Sequence, residues 1–453
     1  MLFNFIDIDL NEKGKIYKTL YLQIKEAVLS GVIKKGERLP SVREAAVGLG
    51  VSRTTVENAY LKLCIEGIAE SIPQKGYYIC KAANEVKVNN STAEEQRKEY
   101  KYDFSSQNID MSSADTENFK KIVRKVLNFP ENLTSYGDSQ GELQLREAIA
   151  EYTYKARGVK ASPRNIVIGA GIGPLLNIIC GLLGRDIKVG FENGTFLLAQ
   201  NIFSDYGIEN FVLPSDKNGA LIGDIEKSEA NVLFLMPSSL SKINVREISK
   251  RRNEYAEWLA EQNNRIIIED DYNGELRYTA RSLTAFTANS SDKTIYIGSF
   301  SKLLLPSVRI AFMVLPDFLA GKFRERKKYY NQTCGKIEQM ALSEYINNGL
   351  LEKHLRKLRR LYYFKSQLLC KEINQKIPFV KEILLYESSL TIEIITNLKV
   401  ESREIVALAE EYKIKLLKSE RPSAVRLCFA GIDTKDIPEA VDALKQVFDK
   451  LNQ

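Results

Sequence analysis

The chain has 453 residues, 44% hydrophobic and 27% charged, with a formal net charge of +7. That length predicts two to four compact units with ample material for a core, and no apolar run approaches the roughly 20 residues needed to cross a bilayer. A single histidine, His354, excludes multi-histidine metal sites and leaves a Ser-His-Asp triad one candidate. Its setting, "EKHLRKLRR", predicts a solvated basic helix face instead. Six scattered cysteines without a CxxC pair fit reduced thiols in a cytoplasmic protein. The N-terminus lacks the basic start and small-residue site of a secretory signal, so none is expected.

Charge is unevenly placed. Lys13 to Lys81 carries twelve Lys/Arg against six Asp/Glu, a +6 segment ahead of a nearly balanced body. In "YKTLYLQIKEAVLSG", Leu20, Ile24, Ala27 and Val28 recur at helical spacing up to Gly31. "LPSVREAAVGLG" predicts a second short helix capped by Ser41 and closed near Gly48 or Gly50. "VSRTTVENAYLKLCIEG" predicts a third, capped by Ser52, with Val56, Ala59, Tyr60 and Leu63 inward and Gly67 as its stop. "IAESIPQKGYYIC" reads as two strands around a "PQKG" turn. Three helices and a hairpin make a winged helix-turn-helix, whose third helix enters the DNA major groove by its N-terminal end. Arg53, Thr54 and Thr55 occupy that end, beside the cap Ser52. Arg43 and Lys75 are placed for phosphate or groove contacts. A structural three-helix unit with a solvated basic face is the alternative on spacing alone.

Residues 14–82 form this head in our reading, 83–102 a polar linker, and 103–453 a larger body. In the body, short apolar strands alternate with helices, as in "NIVIG", "IKVGF", "ANVLFLMPS", "RIIIED", "TIYIGS" and "RIAFMVL". This predicts an α/β fold with a largely parallel, doubly covered sheet. Residues of about 130–320 form the large part, and about 334–453 a smaller α+β subdomain.

In such sheets, chemistry gathers at the carboxyl ends of the strands. "NIVIGAGIG" ends in glycines before a helix, "RIIIEDDY" in three acids and a tyrosine, and "TIYIGSFSK" in Ser299, Ser301 and Lys302. Each alone is weak: such glycines are often a plain turn, and such acids are often surface loop residues. Together they supply a phosphate cradle at a helix N-terminus, a carboxylate, a phenol and an amine. Pyridoxal 5′-phosphate needs that set: a lysine for a Schiff base, a carboxylate for its ring nitrogen, and hydroxyl, arginine and backbone N–H groups for its phosphate. Lys302 is the expected cofactor lysine, flanked on the phosphate by Ser299 and Arg309.

Resemblance adds to both halves. "GERLPSVREAAVGLGVSRTTVENAYLKL…KGYYI" resembles the GntR-type DNA-binding domain. "SYGDSQGELQLREAIAEY", "EDDYNGELRY", "GSFSKLLLPSVRIAF" and "VRLCFAG" resemble fold-type I aminotransferases over roughly residues 103–450. The fusion is the arrangement of the MocR subfamily of transcriptional regulators. The resemblance implies Lys302 as the Schiff-base lysine, Asp270 as the pyridinium partner and Tyr272 near the ring oxygen. It implies Gly171 and Ile172, with Ser299 and Arg309, on the phosphate, and Tyr136 approaching from a neighbouring subunit of a homodimer. Arg426 would hold the carboxylate of an amino-acid effector, unless it forms a structural ion pair.

The sequence also departs from the family. "MPSSLSKIN" stands where members read close to "TPSHQFPTG", placing Ser239, Leu240, Lys242 and Asn244 at family His, Gln, Pro and Gly positions. Phe196 stands where a tyrosine usually stacks on the ring, and "GIGPLL" replaces "GxQQAL". The expectation is a cytoplasmic regulator that binds an operator in double-stranded DNA and senses pyridoxal phosphate or an amine or amino acid, with turnover weak or absent. The alternatives are an active aminotransferase carrying a DNA-binding head, and a regulator whose body binds no cofactor.

Overall fold

A computed structural model describes residues 6, 16–81, 100–105, 109–110, 112–192, 196–237, 245–278, 284–290, 292–386 and 389–452. The chain divides into two compact units, Met1–Lys98 and Glu99–Gln453. Among the described residues no helix is long and apolar enough to cross a membrane.

The first unit holds helices Ile16–Leu29, Val42–Leu49 and Arg53–Ile65, then an antiparallel hairpin of Ala69–Ile72 and Gly76–Ile79. The three- and four-residue spacing buries Leu20, Ile24, Val28, Val56, Tyr60 and Leu63 in one core. Ser41 and Glu44 form a capping box at the second helix, and Gly50 closes it in the left-handed region. Two residues later Ser52 caps the third helix by accepting from Thr55 N. Caps at both ends of the three-residue connection, Gly50 to Ser52, fix the turn between these helices.

The body centres on a seven-stranded sheet. Its order is Ile166–Gly169, Ala311–Val314, Thr294–Ser299, Ile266–Asp270, Val232–Leu235, Lys188–Phe191, Glu209–Val212. All neighbours are parallel except Ala311–Val314, which is antiparallel to both of its partners. Alternate side chains enter different cores: Ile168, Tyr296 and Phe312 pack on one face, Val167, Ile297 and Met313 on the other. Burial on both faces explains the continuous apolar strands. The edge strand Glu209–Val212 has no such signature and escapes the sequence pattern.

The smaller part contains helix Leu350–Lys376 and an antiparallel sheet in the order Val380–Tyr386, Thr391–Thr396, Ala424–Cys428, Leu417–Lys418. Two expectations need correction. Residues expected as linker up to Tyr102 include a strand, Tyr102–Asp103, paired in parallel with Ile414–Lys415, because Tyr102 and Phe104 carry buried apolar rings. His354 does not lie on a solvated face. It sits on the inward stripe of its helix with Leu351, Leu355 and Leu358, and burial lowers its pKa. The cations around it hide a stripe spaced at three and four residues.

Candidate functional site

The register of the sheet gathers the body's polar groups at one edge. Ser299 lies opposite Ala311, and Ala311 opposite Gly169. Strand neighbours are about 4.8 Å apart, so the ends of the first and third strands stand about 10 Å apart with the start of the antiparallel strand between them. Arg309, two residues before that start, therefore enters between Gly169 and Ser299. Its backbone is left-handed, with φ 53°.

Gly171 caps helix Ile172–Leu183 with φ 85°. A Cβ there would lie 2.6 Å from Arg309 Nη2, so only glycine lets the guanidinium rest against the helix start. The first N–H groups of a helix have no intrahelical partner. Backbone donors, the helix dipole and a guanidinium thus converge where an anion would be held. Ser299 Oγ accepts from Ser301 N at 3.3 Å on the same edge.

The three acids after "RIII" have different fates. Glu269 accepts from Phe286 N at 2.7 Å and from Thr287 N and Oγ1 at 2.9 and 2.7 Å. Asp271 receives Arg157 Nε at 2.5 Å and Nη2 at 2.9 Å, and the Tyr296 hydroxyl at 2.9 Å. Asp270 lies between them, buried, and accepts no hydrogen bond among the described residues. Burial, then the charges of Asp271 and Glu269, push its carboxyl up to about 7. Such a group calls for a cation. Lys302 is likewise buried, 4% exposed, without a hydrogen bond or ion pair among the described residues. Its Nζ lies 5.7 Å from the centre of the Tyr272 ring.

The other expected residues have surroundings of their own. Phe196 packs on Phe234 at 5.9 Å between ring centres. Tyr136 is fully exposed. Ser239, Leu240, Lys242 and Asn244 lie outside the described residues. Arg426 Nε meets the fully buried Glu393 Oε1 at 3.3 Å, cross-strand neighbours in register, and its guanidinium covers the Tyr386 ring at 5.3 Å. Glu393 also accepts from the Ser419 and Tyr386 hydroxyls. Burial would raise the Glu393 carboxyl, but the Ser419 hydrogen bond and the Arg426 charge outweigh it and hold it below the usual carboxylate range. Arg426 Nη1 and Nη2 take no hydrogen bond among the described residues. Sequence reasoning overlooked Glu393, although a lone acid inside "LTIEIIT" is a signal for a buried partner.

In the head, Arg43, Arg53, Thr54 and Lys75 are exposed. Ser52 Oγ is occupied by Thr55 N at 3.1 Å and the Thr55 hydroxyl at 2.8 Å. The serine thus shapes the helix start, while Arg53 and Thr54 project from it.

Comparison with known proteins agrees with both units. Residues 16–79 match the bacterial regulatory proteins of the gntR family, and residues 251–444 match aminotransferase class I and II. An uncharacterized HTH-type transcriptional regulator of Bacillus subtilis, YdeL, is 33% identical over 445 residues, 95% of this chain and 96% of its own. The probable rhizopine catabolism regulatory protein MocR of Rhizobium meliloti is 25% identical over 474 residues, 97% of this chain and 95% of that one. The HTH-type pyridoxine biosynthesis transcriptional regulator PdxR of Corynebacterium glutamicum is 28% identical over 370 residues, 80% of each. Among solved structures, kynurenine aminotransferase of Pyrococcus horikoshii aligns with a TM-score of 0.68 at 22% identity, covering 79% of this chain and 93% of that one. That likeness concerns fold alone. A gntR-type DNA-binding head joined to an aminotransferase-like body, with end-to-end similarity to HTH-type regulators, places this chain in the MocR subfamily of transcriptional regulators.

Proposed function

We propose that the body binds pyridoxal 5′-phosphate and senses it, or an amino compound bound with it, to control how the head engages an operator. The observation that carries this is Asp270, a buried carboxyl lifted to about 7 that accepts no hydrogen bond among the described residues. The ring nitrogen of the cofactor would complete it. When bound, the cofactor supplies an aldehyde carbon that takes up amines and a ring that withdraws electrons. Lys302 would bond that carbon and Tyr272 would lie along the ring oxygen. Phe196 would cover one ring face. Gly171, Ile172, Ser299 and Arg309 would hold the phosphate at the helix start.

Tyr136, exposed in one chain, would reach the phosphate of a second copy in a two-fold homodimer, and paired heads would meet two DNA half-sites. Arg426, held through Nε by Glu393, would offer its terminal nitrogens to an effector carboxylate. A DNA-binding regulator of this kind works in the cytoplasm. Sensing requires only that the loaded or effector-bound body favours one DNA-binding state over another. Catalysis requires more, because the substrate must be aligned for proton transfer. The stretch "SSLSKIN" departs from the family sequence, so turnover is expected to be slow or absent.

The test has two parts. Loading with pyridoxal phosphate, borohydride reduction, digestion and mass spectrometry should place a phosphopyridoxyl group on Lys302. Operator affinity should then change between apo, loaded and amino-compound-treated protein. A label elsewhere, or affinity equal in all three states, would refute the proposal. Sustained cycling with amino and keto acids would favour the aminotransferase reading.

A further inference from the structure

The cation cluster around His354 remains without a role once the histidine itself is buried. Helix Leu350–Lys376 turns Leu351, Leu355, Leu358, Tyr362 and Leu369 inward. Lys353, Arg356, Lys357 and Arg360 are exposed on its other side. None of the four side chains has an ion pair or hydrogen bond among the described residues. Glu352, the one acid beside them, pairs with none of them. Arg359, by contrast, is half-buried and donates to Glu275 O at 2.6 Å.

Elsewhere on the body, many exposed lysines are neutralised. Lys101 meets Glu439, Lys125 meets Glu344, Lys155 meets Glu151, and Lys376 of the same helix meets Asp442. In the cluster, Lys353 faces Lys357 and Arg356 faces Arg360 at four residues. Lys353 faces Arg356 and Lys357 faces Arg360 at three. Like charges at these spacings destabilise a helix. The fold gains nothing local in return.

We propose that this face of the body binds the phosphate backbone of duplex DNA, as a second contact beside the head. Charge complementarity identifies the occupant. Four unneutralised cations lie within eight residues, about 10 Å along the helix, which corresponds to about three base-pair steps of 3.4 Å. The two arginines can bond phosphate oxygens as forks, and the two lysines as point charges. The chain already carries a DNA-binding head, so its partner supplies that backbone wherever the duplex passes the body. Phosphate contacts carry no sequence information. This surface would add affinity and hold orientation, leaving the choice of operator to the head.

The test uses the full-length protein and a random-sequence linear duplex of about 60 base pairs, roughly six helical turns, with binding followed by anisotropy over a salt series. Replacing Lys353, Arg356, Lys357 and Arg360 by Gln should lower affinity at least roughly tenfold. The slope of log affinity against log salt should shrink by about 1–4, close to 0.9 per lost phosphate contact. A control with four paired lysines replaced by Gln (Lys101, Lys120, Lys125 and Lys188) removes the same charge and should leave the slope near wild type. If the quadruple variant folds poorly by circular dichroism, Arg356→Gln with Arg360→Gln should give about half the slope change. Arg356→Lys with Arg360→Lys should restore it. An unchanged slope, or an equal loss in the control, overturns the proposal. So does a variant that loses binding to vesicles of anionic lipid while keeping wild-type DNA binding.

Discussion

In the head, every residue expected to touch DNA lies between Arg43 and Lys75, and all but the half-buried Thr55 are exposed. In the body, the groups at the sheet edge come from Gly171, Asp270, Lys302 and Arg309, and the acid and the amine are buried. The head's geometry is set by local devices: a capping box, a serine cap, and a glycine at φ 64°. The body's geometry is set by register between strands far apart in sequence. Exposed groups cost the fold little and stand open to a partner. Buried groups cost desolvation and are therefore poised for a ligand that relieves it. Loss of a head residue should lower DNA affinity and leave the fold intact. Loss of a body residue should alter stability, ligand capture, or both.

The largest expected effect sharpens this contrast. Lys302→Ala should abolish covalent retention of pyridoxal phosphate after borohydride reduction, read by mass spectrometry, while the isolated DNA-contact residues remain untouched. Next, Arg157→Met removes the partner of Asp271 and leaves a buried charge unpaired. Breaking such a pair costs about 3–5 kcal/mol, to be read as a lowered urea midpoint for the body. An unchanged midpoint would mean that this pair is not what holds the acids apart.

Arg53→Ala should weaken operator binding by about 1–3 kcal/mol, with thermal unfolding unaltered. A stability loss of the same size would erase the distinction between the two regions. A last effect is in pH. The Asp270 carboxyl is raised in the folded apo protein from 3.8 to about 7. Between these values the unfolded state binds fewer protons, so apo stability falls as pH rises through that window and then levels off. Asp270→Asn should flatten the fall and leave the apo variant more stable than wild type above pH 7. It should also weaken cofactor capture. Urea midpoints of apo protein at about pH 5 and 8 check the sign.

What could be read from the sequence follows the same division. The head's helices, caps and wing were legible because each signal sits within a few residues of the structure it makes. Lys302 stood out because a strand end followed by chemistry is itself a short pattern, whereas Asp270 was singled out among the acids only by the family resemblance. Arg157 was not, because its partner Asp271 is 114 residues away. Nor was the choice among the three acids legible from residue type alone: "EDD" offers equal candidates until Thr287 and Arg157 take two of them. His354 was misread because charge dominates its neighbourhood while its burial depends on the packed face beneath.

The strand Tyr102–Asp103 has a mechanical consequence. Lys101 N donates to Lys413 O at 2.8 Å, Phe104 N to Lys415 O at 2.9 Å, and Cys428 N to Phe104 O at 2.6 Å. The segment through which the body leads back toward residue 99 is therefore stitched into the smaller subdomain rather than into the seven-stranded sheet. Any rotation of that subdomain against the large sheet hauls residues 101–104 along with it. Residues 101–104 thus ride on the subdomain that carries Arg426 and Glu393, so a ligand that tilts this subdomain also moves the start of the body.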